Sequence, residues 1–318
     1  MSKKQVLAII AGGLGNQIQM TAPLRTLRER LGMDVSVFST GLPGDWNPHA
    51  EFDPVLPYKV YNGSTLPRDM QLYRNAQTFD GVIGLTFGAK GVETWARRRG
   101  WEVLGNPARQ KVTLDKSEVD IAMNACRDLG IADEDLIWKG ELRHNEGFAE
   151  RFDVVLANGY HRGHDGNSRW ELKGFPGFQS LAQEIHARWP GLSICSIGRT
   201  KNEYVQGTTD RTGLPLLDSL ALLKRARFVV VTDSMSFHAA ACFDTRIYAL
   251  FTATSVVKNA CPRFHANARI VGRDDLECRP DCQAKGRMFS CRTRHCQEIG
   301  INHIANIIAE DEGTAWSA

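Results

Sequence analysis

The run from Val229 to Ala241 reads Val-Val-Val-Thr-Asp233-Ser234-Met235-Ser236-Phe237-His238-Ala-Ala-Ala: an apolar stretch halts at an acid and hydroxyls, then restarts as small residues. It predicts a strand, a tight turn and a helix N-terminus. A helix start leaves backbone N–H groups unpaired and carries the positive end of the macrodipole, so such a junction can hold an anion such as a diphosphate. A second junction lies near the other end of the chain, where Val6–Ile10 runs into Ala11-Gly12-Gly13-Leu14-Gly15-Asn16-Gln17. Gly12, Gly13 and Gly15 there let backbone approach a ligand closely. Two such turns, far apart, predict two α/β domains with a cleft between them.

At 318 residues the chain exceeds the usual size of one hydrophobic core, and two domains are expected. A net charge of +3 argues against an obligate polyanion partner. Arg97-Arg98-Arg99 is a local basic patch that reads as a solvated helix face. No run approaches the roughly 20 apolar residues of a membrane span, so no transmembrane segment is expected and the predicted location is cytoplasmic. Of the eight cysteines, Cys126, Cys195, Cys242 and Cys261 stand singly in or beside apolar segments and read as packing residues.

Short β-rich runs alternate with amphipathic stretches, the pattern of βα units around a mostly parallel sheet. In the first half strands are expected at 6–10, 34–38 and 81–85 and helices at 17–31, 92–99 and 115–129, with Pro23 kinking or delaying its helix. Residues 41–62, rich in Pro, Gly, Asp and aromatics, read as a long functional loop. A linker near 146–152 separates domain 1–150 from domain 151–318. The second predicts strands at 153–157, 193–197, 228–232 and 246–251, helices at 177–189, 214–225 and 236–242, a Cys-rich loop at 278–296 and a last helix at 298–309.

From Asp153 onward the order is a strand with Asn158-Gly159-Tyr160, then Lys173-Gly174-Phe175-Pro176 opening a helix, a strand with Ile197-Gly198, and the Asp233-Ser234 turn with His238. This order resembles the heptosyltransferases of glycosyltransferase family 9. The resemblance implies a GT-B fold, two Rossmann-like α/β domains facing across a cleft. It also implies a nucleotide-sugar donor bound by Gly12, Gly13, Gly15, Asn16, Tyr160, Lys173, Gly198, Asp233, Ser234, Ser236 and His238, the first half being the acceptor side. Two positions depart from the family pattern. Met235 replaces the glycine of the donor turn, and Asn16 stands where an aspartate can act as base. Gly-Gly-Leu-Gly-Asn-Gln is also similar to the opening of α-1,2-fucosyltransferases, but their His-x-Arg-Arg-x-Asp motif has no counterpart here.

An inverting transfer needs a cation to neutralise charge on the nucleotide leaving group and a base to take the acceptor hydroxyl proton. Lys173 and the helix start at Ser236 suit the first role, with no cofactor or catalytic metal expected. For the base the loop Asp45-Trp46-Asn47-Pro48-His49-Ala50-Glu51 offers Asp45 first and His49 second; a turn-capping Asp45 and a merely packed His238 are the structural alternatives. Cys278, Cys282, Cys291 and Cys296 have the chemistry for a structural zinc or iron ion, as in the metal-binding finger of some protein-modifying family members; free thiols and disulfides are the alternatives. The acceptor is open between a glycan, a protein and a nucleic-acid base, the last two met by the basic stretch Arg279–Arg294. A non-catalytic nucleotide-sugar binding or scaffold protein of the same fold is the alternative function.

Overall fold

The computed structural model describes residues 3–40, 55–63, 79–86, 92–105, 116–159, 170–279, 282, 287 and 290–313. The chain divides into two compact units, Met1–Arg143 with Ala260–Ala266, and His144–Asn259 with Asn267–Ala318. Among the described residues, no helix is long and apolar enough to cross a membrane. Asn145 and Glu146 already bond within unit 2, to Leu217 and Arg225, so the division falls at Arg143/His144.

Unit 1 is built on the parallel strands β1 (Gln5–Ala11), β2 (Asp34–Thr40), β3 (Lys59–Gly63), β4 (Gly81–Gly84) and β5 (Glu102–Gly105), in the order β3-β2-β1-β4-β5. Central β1 is apolar on both faces, as helices on both sides of a parallel sheet demand, and Val6 to Ile10 are wholly buried. The crossovers carry α1 (Leu14–Gln19), α2 (Thr21–Leu31) and α3 (Val92–Arg99), and α4 (Glu118–Asp128) follows the last strand. The single helix expected at 17–31 is thus broken at Met20, which puts Pro23 in the first turn of α2, where its missing N–H leaves no bond unmade. Ser117 caps α4 by accepting the Asp120 N–H at 3.1 Å. Leu7, Ile9, Phe38, Phe79 and Val82 form the core, with Phe79 edge-on to Trp101 at 5.2 Å. The loop expected over 41–62 overran β3, an edge strand whose lysine and asparagine hide any apolar alternation. Arg97 and Arg98 are exposed, as a solvated helix face requires.

Unit 2 holds β6 (Val154–Ala157), β7 (Ile194–Gly198), β8 (Thr209–Thr212), β9 (Phe228–Thr232), β10 (Arg246–Phe251) and β11 (Ala268–Gly272), all parallel, in the order β11-β10-β9-β6-β7-β8. Counted from β6, this is the doubly wound order of dinucleotide-binding domains, whose ligands sit where the chain order reverses, here between β6 and β9. The helices are α5 (Phe178–Arg188), α6 (Leu216–Arg225), α7 (Met235–Cys242), α8 (Val256–Asn259) and α9 (Ile301–Glu312). Ile304 and Ile308 of α9 join Leu181 and Ile185 of α5 in the core, and Glu312 pairs with Arg227 at 3.1 Å, so the last helix completes unit 2. Strands β8 and β11, absent from the sequence reading, are the two edges of this sheet, and β8 is four polar residues.

Candidate functional site

Strand β9 is buried throughout and delivers Asp233, only 2% exposed, to the crest of the unit 2 sheet. A carboxylate there requires a partner, because an unpaired buried charge is prohibitively costly. Lys173 supplies it from the 3-10 turn Glu171–Lys173, with Nζ 3.2 Å from Asp233 Oδ2 and 5.4 Å from the centre of the Trp170 ring. Asn259, at the end of α8, donates its amide to the same oxygen at 2.9 Å. His238 Nε2 lies 3.8 Å from Asp233 Oδ1. Burial, reinforced by the Lys173 charge, pushes the His238 imidazole down to about 4 against the pull of Asp233, so it is neutral at pH 7. Burial opposes ionisation of Asp233 too, yet the carboxyl is held below its ordinary value; Lys173 is the countercharge that does so, since a neutral His238 cannot.

Beside this pair, Ser234 is the N-cap of α7, but its side chain makes no cap bond, and its buried hydroxyl has no partner among the described residues. An orphan hydroxyl at a helix start is a donor in reserve for an anion. Ser236 stands in the first turn of the same helix, after Met235. Across the reversal point, Thr232 Oγ1 donates to Gly159 O at 2.9 Å. Gly198 ends β7, where a Cβ would come within 2.2 Å of Glu203 Oε2, so only glycine fits. Glu203 is 5% exposed and accepts the Arg199 N–H at 2.5 Å. The sequence reading missed it. An acid just beyond the second strand of a doubly wound domain, where ribose hydroxyls are bound, is the signal that could have found it.

In unit 1 the residues of the glycine turn also come together. Gly12 has φ +121°, and a Cβ on it would meet Asn16 Oδ1 at 2.9 Å. Gly13 is the N-cap of α1, with Gly15 and Asn16 in its first turn, and Ala11 N–H bonds Thr86 Oγ1 at 2.6 Å. Asn16 donates its amide to Glu118 Oε2 at 2.5 Å, which brings an acid unremarked in the sequence reading to this turn. The remaining candidates, Asp45, His49 and Tyr160, lie outside the described residues.

Of the four clustered cysteines, Cys282 and Cys296 are buried against Leu172 and Ala253, Cys291 packs partly buried beside them, and Cys278 is exposed. Burial and then the neighbouring thiols push Cys296 up to about 11; backbone and Thr293 hydrogen bonds pull Cys291 down. Among the described residues, no three His, Cys, Asp or Glu side chains stand in an arrangement that could hold a metal ion. Arg279 is a correction to the reading of 279–294 as a basic acceptor-contacting stretch. Its side chain is 4% exposed, and its guanidinium donates to the carbonyls of Phe251 at 2.9 Å, Thr254 at 3.3 Å and Thr252. Cys126, Cys195, Cys242 and Cys261 are all buried.

No family model matches the chain, and no curated protein matches its sequence. Solved structures do. The ADP-heptose lipopolysaccharide heptosyltransferase II of E. coli superposes with a TM-score of 0.63 over 97% of this chain and 100% of its own, at 16% identity. A family 9 glycosyltransferase of Veillonella parvula gives 0.66 over 97% and 96%, at 14% identity. TibC, an iron-containing dodecameric heptosyltransferase of E. coli, gives 0.59 over 98% of this chain and 78% of its own, at 15% identity. In its two Rossmann-like units this chain resembles the heptosyltransferases and family 9 glycosyltransferases, and its fold is the GT-B fold.

Proposed function

We propose that the chain is an inverting glycosyltransferase that takes a sugar from a nucleotide-sugar donor to an acceptor hydroxyl. The observation that carries this reading is the Lys173–Asp233 pair beside the unpartnered Ser234 hydroxyl, at the order reversal of a doubly wound sheet. An ammonium, a hydroxyl and a helix start together suit a diphosphate. On this reading Lys173 neutralises the charge that grows on the leaving diphosphate, Ser234, Ser236 and the start of α7 receive its oxygens, and Glu203 accepts from the ribose hydroxyls. Asp233 and the neutral His238 hold Lys173 in place. The acceptor hydroxyl loses its proton to a base of unit 1, Asp45 ahead of His49; Asn16, bound to Glu118, orients rather than abstracts. No metal is required for this chemistry.

Four thiolates are a donor set suited to zinc or iron, but no three of Cys278, Cys282, Cys291 and Cys296 stand grouped as ligands here, so a structural ion would have to draw these thiols together. A non-catalytic nucleotide-sugar binder is the alternative that Asn16 and Met235 favour, an amide and a bulky side chain where the family pattern resembled by the sequence has an aspartate and a glycine. Hydrolysis of the donor without acceptor separates the two. A thermal-shift panel of ADP-, GDP- and UDP-sugars identifies the nucleotide, because a ligand bound only by the folded state raises the midpoint. Asp45→Asn is then expected to lower the rate and leave donor affinity intact. Normal turnover by Asp45→Asn with a dead His49→Ala reverses the two assignments, and a panel with no stabilising nucleotide rejects the function.

A further inference from the structure

The Cys-rich segment after β11 clamps the turn that presents Lys173 and the turn that follows β10. Gln297 donates its side-chain amide to Gly174 O at 2.8 Å and Glu171 O at 3.2 Å, bracketing Lys173 from both sides. Arg294 pairs with the Glu171 carboxylate at 2.9 Å. Arg294 is also the sole described non-glycine residue in the left-handed region, at φ +56°, where it opens the 3-10 turn carrying Gln297 and accepts the Gln297 N–H at 2.8 Å. A left-handed L-residue is strained and persists where its surroundings over-determine it. From the same segment, buried Arg279 ties the carbonyls of Phe251, Thr252 and Thr254 at the end of β10. The two clamped turns also meet each other, through Ala253 N–H to Leu172 O at 3.4 Å and the Thr252 hydroxyl to the same oxygen.

We infer that Gln297 and Arg279 are positioning residues of the donor site, acting through the Lys173 turn and the turn after β10 to set the Lys173 ammonium against Asp233. The inference rests on the proposed role of Lys173 in diphosphate binding. A Gln297 that merely stabilised the fold would weaken every ligand through unfolding and would act independently of Lys173. A positioning Gln297 matters only while the ammonium it aims is present.

The test is a double-mutant cycle read by calorimetric affinity for ADP, with GDP and UDP in parallel, on the full chain. Gln297→Met keeps the stem of this half-buried side chain and removes both donors. It should weaken nucleoside diphosphate binding about 5- to 10-fold in the parent protein and less than 2-fold in the Lys173→Met background. Gln297→Glu, which turns a carboxylate toward the same two carbonyls, should weaken binding more than Gln297→Met. Arg279→Lys, retaining one of the bonds, should bind more tightly than Arg279→Met. Equal losses from Gln297→Met in both backgrounds overturn the positioning role and leave the Lys173 reading standing. If Lys173→Met itself binds ADP, GDP and UDP as the parent does, the underlying reading fails, and this inference with it.

Discussion

Lys173→Met removes the ammonium from beside Asp233 while retaining most of the stem. At 3.2 Å and an effective dielectric constant of about 20, the Lys173–Asp233 attraction is about 5 kcal/mol. Desolvation of the pair offsets part of that, so stranding a carboxylate only 2% exposed should cost about 3 kcal/mol of folding stability at pH 7, with the Asn259 amide limiting the damage. Asp233 is held below its ordinary value in the folded chain, so its ion-pair contribution is complete above the unfolded carboxylate pKa of about 4 and is lost as pH falls through the lower folded value. The difference between parent and variant should shrink as pH falls from the raised value that the stranded Asp233 takes in the folded variant to the lowered one it has in the parent, the unfolded carboxylate being common to both. Diphosphate affinity should fall roughly 10- to 150-fold, the worth of one charge-assisted hydrogen bond of about 1.5–3 kcal/mol. Adding Asp233→Asn removes the stranded charge and should restore stability to within about 1 kcal/mol, because deleting both members of a buried pair is often nearly neutral. Affinity should stay low. Urea denaturation and calorimetry on the parent, single and double variants measure the two effects separately. Recovery of affinity in the double variant would falsify a direct role for Lys173 in binding, since its only duty would then be to neutralise Asp233.

His238 makes the acid limb steep: between the unfolded imidazole pKa near 6.5 and its folded value of about 4, only the unfolded chain takes up the proton, so stability rises with pH across that window by about 3 kcal/mol. His238→Phe should flatten the limb, as measured by denaturation midpoints from pH 4 to 7; an unchanged slope contradicts the buried neutral imidazole. Glu203→Gln should weaken ADP, GDP or UDP binding about tenfold and leave inorganic pyrophosphate binding unaffected, in keeping with a ribose contact worth about 1.4 kcal/mol; an equal loss for pyrophosphate assigns Glu203 to the phosphates. Elemental analysis should find about one zinc or iron per chain, and Cys296→Ser should lower the thermal midpoint; metal-free protein with four titratable thiols in this segment rejects the metal site. Ile308→Ala in α9 should destabilise unit 2 by about 2–4 kcal/mol, the usual cost of a cavity at a fully buried position, and a loss below 1 kcal/mol would show that α9 packs loosely.

The elements legible in the sequence are those whose burial leaves a continuous or periodic apolar trace. Strands β9 and β10 and helix α3 have the expected limits, because the runs at 228–232 and 246–251 sit mid-sheet and 92–99 is a simple amphipathic turn set. Edge strands β3, β5, β8 and β11 have one neighbour and less buried surface, and so leave little trace. Pro23 was read correctly as a disturbance, but the break falls at Met20 because a helix can restart and absorb a proline in its first turn. Lys173, Asp233 and His238, which motif order singles out, come together in the structure. The contacts of Glu203, Asn259, Arg279 and Gln297 leave no such trace, because they are made to main-chain groups and side chains that strand order alone brings near.

Residues 260–266 bear on how the protein is made. They belong to unit 1, where Arg263 pairs with Asp133 at 2.5 Å and lies 4.8 Å from the centre of the Trp138 ring, yet they are synthesised after most of unit 2. At about 5–20 residues per second of translation, unit 1 must wait for this piece with Trp138 covered by Arg127 alone, 5.8 Å from its ring, and Asp133 short of one of its arginines. Maturation of the N-terminal unit is therefore tied to emergence of the C-terminal one, and release of 1–143 alone, by proteolysis or early termination, yields a body short of one of its own parts. Exchanging halves between chains of this fold at a single joint near residue 150 would part 260–266 from the rest of this unit; a faithful exchange has to carry 260–266 with the first.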